Sequence, residues 1–154
     1  MKKHTCKNYA DILKESKTKK ISYHDLLLTL EWRERRQQII KRDDQRCNNC
    51  KNKELLEVHH YYYVRNWLPW QYPDDALVTF CAKCHENYHK QNVVKVYKRL
   101  DANKFVEVNA TPCKRCNGAG RFSIYKHIES GICFKCHGNR YEEFLAEGLL
   151  ASIS

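Results

Sequence analysis

Apolar residues recur at helical spacing in the first third of the chain. Leu26, Leu27 and Leu30 share one helical face, and two isoleucines near residue 40 continue an apolar face. Ser22 precedes the pattern as a candidate N-cap, and Trp32 lies within it as a candidate core anchor. The pattern predicts one helix over residues 24–44.

Shorter apolar runs further along the chain are typical of strands. Residues 54–58 alternate partly and residues 77–80 are apolar and β-branched, so both are predicted as strands that flank an aromatic-rich loop. A helix is expected over residues 82–91, and residues 97–108 predict a hairpin that turns at residues 101–104. This mixture of helices and short strands predicts an α+β fold.

Cysteine spacing favours metal binding over disulfides. Eight of the nine cysteines form four C-x-x-C pairs, and the chain shows no apolar run typical of a secretory signal or a membrane span. We therefore expect a cytoplasmic, reducing location, where two such pairs form one closed, structural zinc site. The two expected zinc sites are Cys47, Cys50, Cys81 and Cys84, and then Cys113, Cys116, Cys133 and Cys136.

Four histidines accompany the first cysteine set. His59 and His60 follow the first predicted strand, where adjacent side chains can turn to different faces. His85 and His89 are four residues apart on a predicted helix, so they share one face. The pattern predicts three imidazole ligands for a metal ion and one further imidazole beside them.

Residues 32–89 carry three motifs in order: W-x3-R-x5-RD-x3-C-x2-C, then L-x-VHH, then L-x3-C-x2-CH-x3-H. This combination resembles the HNH endonuclease family over somewhat more than a third of the chain. The matching residues are Trp32, Arg36, Arg42, Asp43, Cys47, Cys50, Leu56, Val58, His59, His60, Leu77, Cys81, Cys84, His85 and His89.

The resemblance implies a ββα-metal fold, in which a β-hairpin packs on a helix around one catalytic metal. It implies that His59 and His85 bind the metal, that His89 is a third ligand, and that His60 is the general base. An imidazole that titrates near neutrality suits that role. The implied reaction is hydrolysis of DNA to a 5′ phosphate and a 3′ hydroxyl, with Mg²⁺, Mn²⁺, Ni²⁺ or Zn²⁺ as the catalytic ion.

One position departs from the family pattern. The family's middle Asn, which orients the general base across the loop, corresponds here to Ala76, which follows Asp74 and Asp75. Asp75 is the candidate substitute within the catalytic set, and the alternative is that another group holds the loop.

The last third of the chain carries the second cysteine set, spaced as in a zinc ribbon. Its C-x-x-C-x-G-x-G motif resembles two of the four repeats of the DnaJ-type chaperone zinc domain, with Arg140 where the final Gly would stand. A structural or DNA-gripping module is expected here, closed by a short helix over residues 142–151. The predicted organisation is a basic arm over residues 1–21, the nuclease domain over 22–95, and the hairpin plus ribbon over 96–154.

The charge of the chain favours a polyanionic partner. The formal net charge is +10, and two zinc ions on eight thiolates would lower it to about +6. DNA is the expected partner, with Arg33, Arg36 and Arg65 as candidate contacts, in a protein whose size is typical of phage or mobile elements.

Three other functions compete with the nuclease. A non-catalytic nucleic-acid-binding protein on a degenerate HNH scaffold is favoured by Ala76. An RNA-binding or protein-binding zinc module would explain the aromatic loop and the ribbon. A thiol redox protein would use its C-x-x-C pairs differently, and two tightly bound zinc ions would exclude it.

Overall fold

The computed structural model of the protein describes residues 6–16, 21–122, 125, 127–128 and 131–143. Helices and two small sheets combine in an α+β arrangement, as the sequence predicts. Within this described part, no helix is long and apolar enough to cross a membrane.

The expected basic arm contains a docked helix, α1 (Tyr9–Glu15). Asn8 caps its first turn, and the Tyr9 backbone N–H donates to the Glu31 carboxylate. The Tyr9 ring also meets Trp70 edge-on at 5.3 Å between centroids. Residues 9–15 therefore belong to the packed structure, while the lysine-rich residues 17–20 and residues 1–5 lie outside the described part.

The single helix predicted over residues 24–44 is wrong, because two helices replace it. They are α2 (Tyr23–Leu26) and α3 (Leu30–Arg42). Ser22 caps α2 in a reciprocal capping box, as expected, and Thr29 caps α3. The break also changes the predicted apolar face, since Leu26 is fully buried whereas Leu30 is 37% exposed.

A two-stranded antiparallel sheet carries the predicted site. It pairs β1 (Leu56–His60) with β3 (Leu77–Cys81), and β3 leads directly into α4 (Ala82–Gln91). Both strands lie within two residues of their predicted positions. The two histidines predicted to follow the first strand are its last two residues, and α3 and α4 both contact this sheet.

The aromatic loop contains a strand that the sequence pattern did not predict. This strand, β2 (Tyr62–Val64), pairs in parallel with β4 (Lys95–Asp101), which forms the predicted hairpin with β5 (Lys104–Val108). Single 3-10 turns at Pro69–Gln71 and Asp74–Ala76 complete the connection to β3. The hairpin is thus hydrogen-bonded to the segment expected in the nuclease domain, across the expected boundary at residue 95.

The ribbon consists of two knuckles of similar backbone shape. Positive φ angles occur in both at matching places: Asn117, Gly118 and Gly120 in the first, and His137, Gly138 and Arg140 in the second. Tyr141 anchors the ribbon to the core, because it is 1% exposed and its hydroxyl donates to the Val94 carbonyl at 2.7 Å. Of the predicted closing helix, residues 144–151 lie outside the described part.

Candidate metal centre and catalytic site

Three imidazoles converge where β1 meets α4. Alternation along β1 directs Glu57 and His59 towards α4, and the helical repeat places His85 and His89 on the facing side of α4. One ring nitrogen from each of the three histidines lies within 4.8 Å of the others. His59 is 1% exposed and His89 is 3% exposed, so this group is buried at the bottom of the α4–β1 contact.

The distances between these nitrogens fit a bound metal ion. The Nε2 atom of His85 lies 3.1 Å from Nδ1 of His59 and 3.1 Å from Nε2 of His89. Nitrogens bound at 2.0–2.1 Å to a tetrahedral ion would be about 3.3 Å apart. Three imidazoles leave a coordination position for water or substrate, which is the donor arrangement of catalytic rather than structural zinc sites.

Glu57 completes this centre and was missed in the sequence. Its Oε2 atom lies 2.8 Å from Nδ1 of His85, so Nδ1 carries a proton and donates it to the carboxylate. The Nε2 atom of His85 then holds its lone pair towards the other two histidines. Such carboxylate–histidine pairs fix the tautomer and raise the basicity of a metal ligand. The signal was the Glu57-x-His59 spacing, which puts both residues on one strand face.

Aromatic rings enclose His59. The rings of Tyr88 and Phe80 lie 4.5 Å and 5.5 Å from its ring centroid. Burial, followed by the proximity of His85 and His89, holds the pKa of His59 far below its ordinary value. For the same main reason the pKa of His89 falls to about 3. Both imidazoles are therefore neutral at physiological pH, which is the form that binds metal.

His60 points to the opposite side of β1. Its ring stacks on Trp32 at 5.1 Å between centroids, and its Nε2 atom lies 3.0 Å from the Pro69 carbonyl oxygen. Because a carbonyl only accepts, Nε2 carries the proton and Nδ1 keeps the lone pair. Burial lowers the pKa of His60 to about 3. The expectation that this imidazole titrates near neutrality is therefore wrong, and it is a neutral acceptor throughout the physiological range.

The loop beyond β1 is held without an amide side chain at position 76. The Tyr72 hydroxyl accepts from the Val64 backbone N–H at 2.9 Å, and Arg35 donates to the Tyr72 carbonyl. Asp75, the expected substitute, is exposed, and the group that contacts Nε2 of His60 is the Pro69 carbonyl. The backbone therefore contacts His60 where Asp75 was expected to, and a catalytic role of Asp75 stays a prediction.

The first four-cysteine cluster joins the end of α3 to the start of α4. The sulfurs of Cys50 and Cys81 are 3.7 Å apart, close to the spacing of about 3.8 Å expected on a tetrahedral zinc ion. Burial opposes ionisation of Cys47, but backbone N–H groups of Cys50, Cys81 and Asn49 lower its pKa to about 6. These amides favour a thiolate at Cys47, the form in which a cysteine binds metal.

The second cluster has the same chemistry in the ribbon. Cys113 and Cys133 have sulfurs 3.9 Å apart, and Cys116 and Cys136 have sulfurs 3.7 Å apart. The neighbouring Cys116 thiol, with backbone N–H groups of the second knuckle, lowers the pKa of Cys136 to about 5. All four side chains are buried and none forms a disulfide, so each cluster can hold one structural metal ion.

Comparison with protein families, with curated proteins and with solved structures finds no match for this chain.

The three predicted DNA contacts lie in different surroundings. Arg36 donates to the Leu56 carbonyl at 3.1 Å and lines a small cavity with His59, His60 and His85. Arg33 is exposed on α3, and Arg65 lines a separate cavity beside the second sheet. Only Arg36 of this set is brought to the histidines.

Proposed function

We propose that this protein is a metal-dependent DNA endonuclease of the HNH type, which hydrolyses phosphodiester bonds. The proposal rests mainly on one observation. A fourth imidazole, which is neutral, lines the same cavity as two histidines of the three-histidine centre. His59 and His85 line that cavity together with His60. A metal site with an open position beside a proton acceptor is the arrangement that hydrolysis requires.

The order of elements supports the same proposal. The antiparallel pair β1–β3 followed by α4 is the arrangement expected for a ββα-metal finger. The histidines proposed as ligands lie where the resemblance implies them, with His59 near the end of β1 and the other two histidines on α4.

In the proposed mechanism His59, His85 and His89 hold the divalent ion. When bound, that ion supplies Lewis-acid stabilisation of negative charge on the phosphate and on the leaving 3′ oxygen. Glu57 keeps His85 in the tautomer whose Nε2 lone pair faces the ion. Imidazole donors suit Mn²⁺, Ni²⁺ or Zn²⁺ better than Mg²⁺.

His60 accepts the proton of the attacking water. Its Nδ1 atom is the available acceptor because Nε2 donates to the Pro69 carbonyl, and stacking on Trp32 fixes the ring plane. The neutral imidazole has a free lone pair at Nδ1, although the burial that lowers its pKa also makes it a weaker proton acceptor. Removal of one positioned general base costs typically about 10²- to 10⁴-fold in rate.

Basic side chains line a cleft that leads to the three histidines, and they favour a nucleic-acid substrate. A cleft of ≈ 360 Å³ between α4 and the ribbon is lined by His85, His89, Lys90, Arg115 and Arg121 among others. Cations along a groove attract the phosphate backbone independently of base sequence. DNA rather than RNA is proposed on the resemblance to the nuclease family.

Relaxation of supercoiled plasmid tests the proposal. Native protein with Mn²⁺, Ni²⁺ or Mg²⁺ should nick or linearise the plasmid, whereas EDTA or the His60→Ala variant should abolish cutting. His127→Ala is the matched control, because His127 is exposed. Native protein that shifts the plasmid on a gel but leaves it intact under every metal would identify a non-catalytic DNA-binding protein on the same scaffold.

A further inference from the structure

The ribbon and the histidine centre both line one small cavity. This cavity, termed the arginine pocket, has a volume of ≈ 40 Å³ and is lined by Arg36, Arg121, Arg140, His59, His60 and His85. The two arginines at positions 121 and 140 come from different knuckles of the ribbon. We propose that the ribbon supplies the phosphate-binding half of the site, with Arg121 and Arg140 joining Arg36 to hold a phosphate group beside the three histidines.

The side chains that line the arginine pocket carry more positive than negative charge. Three guanidinium groups line it, and Glu57 is the one carboxylate among its described lining residues. That carboxylate already accepts from His85. Buried cations are costly unless an anion or a set of acceptors compensates them, and guanidinium groups match phosphate oxygens in pairs.

Both ribbon arginines have an N–H group without a partner. The Nε atoms of Arg121 and Arg140 are buried and have no hydrogen-bond acceptor in the described structure. Arg140 is only 8% exposed, so its donors depend on groups inside the protein or inside the pocket. The proposed phosphate supplies acceptors for these two N–H groups.

The backbone at Arg140 is strained in a way that fits a functional role. Arg140 has φ 71°, and the matching position of the first knuckle is Gly120 with φ 77°. Left-handed backbone disfavours a long side chain, and such outliers concentrate at functional sites. The Arg140 guanidinium stacks over the Tyr23 ring at 4.1 Å and near the Tyr63 ring at 4.8 Å. These contacts fix its position against the pocket.

The size of the arginine pocket selects one phosphate rather than a whole nucleotide. A volume of ≈ 40 Å³ holds roughly three water-sized groups. Arg121 and His85 line both this pocket and the larger cleft between α4 and the ribbon. A strand lying in the cleft would therefore present one phosphate to the pocket, which deepens the proposed nuclease function and rests on it.

Binding of inorganic phosphate tests the inference without requiring cleavage. Protein with zinc in both cysteine clusters is loaded with one equivalent of Co²⁺, and ³¹P line broadening of inorganic phosphate is titrated. Native protein should broaden the signal saturably, and Arg121→Gln should weaken phosphate binding at least tenfold. Lys114→Gln is the matched control, because Lys114 is an exposed cation of the same knuckle. It should bind phosphate as the native protein does.

A second variant, outside the ribbon, distinguishes a loss of phosphate contacts from a folding defect in the ribbon. Arg36→Gln removes a guanidinium from the other wall of the pocket and should weaken phosphate binding comparably, while zinc content stays at two ions per chain. Native affinity in both variants would overturn the inference, even if the plasmid is cut. The native protein could also bind phosphate through these arginines and yet never cut plasmid. That result would support the phosphate site and contradict the proposed nuclease function.

Discussion

His85 is the central residue of the candidate site because its two ring nitrogens have different partners. Nδ1 donates to Glu57, while Nε2 lies 3.1 Å from a nitrogen of His59 and of His89. The carboxylate therefore determines where the lone pair of His85 points. We therefore propose that Glu57 is a positioning residue for a metal ion at the three histidines, because it contacts only the opposite ring nitrogen of His85.

Replacing Glu57 with Gln should weaken metal binding at the three histidines. The neutral amide accepts a weaker hydrogen bond and no longer raises the basicity of His85, so the affinity for Co²⁺ should fall about 10- to 100-fold. The measurement is a competitive chelator titration of protein whose cysteine clusters already hold zinc. Glu54→Gln is the control, since Glu54 is exposed nearby. Equal Co²⁺ affinity in the Glu57 variant and the native protein would contradict this role.

For single residues, the sequence predicts which side chains lie on one face of the same helix or strand. It does not predict contacts between different helices and strands. Spacing along a strand and along a helix predicts that His59, His85 and His89 bind one metal ion. The partner of His60 could not be predicted, because it is the backbone carbonyl of Pro69, which has no side-chain signature. Without its fold, the chain also gave no sign that burial would move the pKa of His60 away from neutrality.

The break between α2 and α3 is the main difference at the scale of the elements. Thr29 is fully buried, and its hydroxyl donates to the Leu26 carbonyl at 2.7 Å while accepting from the Trp32 backbone N–H. One side chain therefore ends a short helix and begins the next. This turn sets the direction of α3 and so places Trp32 against His60.

Thr29→Ala should destabilise the protein by about 1–2 kcal/mol, because it removes the N-cap of α3 and leaves a buried backbone N–H without its partner. Thr29→Ser retains the hydroxyl and should lose much less. Urea unfolding of the zinc-loaded proteins, followed by far-UV circular dichroism, measures both. If the Ala and Ser variants unfold at the same urea concentration, the hydroxyl is not the cap that matters.

Local pattern explains which strands were predicted and which was not. The strands β1 and β3 are predicted because they are apolar or alternating, although the prediction for β1 ends two residues too early because its last two residues are polar histidines. The sequence pattern predicts a loop where β2 lies, because the partner of β2 is β4 and parallel pairing over such a distance leaves no local signal. Tyr63, in that strand, is 8% exposed and belongs to the core.

At the scale of the whole molecule, the ribbon is packed against the core rather than appended to it. A Cβ atom added at Gly138 would lie 3.0 Å from the Cβ of His24, so the second knuckle closely approaches α2. The side chain of Asn117 donates to the carbonyl oxygen of His89 in α4. The C-x-x-C spacing predicted the ribbon's metal site, but these contacts join distant parts of the chain and could not be predicted.

Metal removal should occur in two stages. The histidine ion, with an open coordination position, should be extracted by mild EDTA while far-UV circular dichroism stays unchanged, since β1, β3 and α4 are held by their own pairing and by the first cysteine cluster. Stronger chelation that strips both cysteine clusters should unfold the chain, because binding energy at such sites is folding energy. Metal analysis beside each spectrum checks the order. Loss of structure together with the first ion would show that the histidine centre is structural.

The most direct test of the nuclease is single-turnover cleavage of an end-labelled duplex by native protein and by His60→Ala, with duplex binding measured separately. We predict a cleavage rate at least 10²-fold lower in the variant with an unchanged dissociation constant, because His60 is proposed to act on the reacting water. Equal rates in the two proteins would show that another group accepts the proton. Absence of cleavage by native protein under every divalent ion would contradict the nuclease itself.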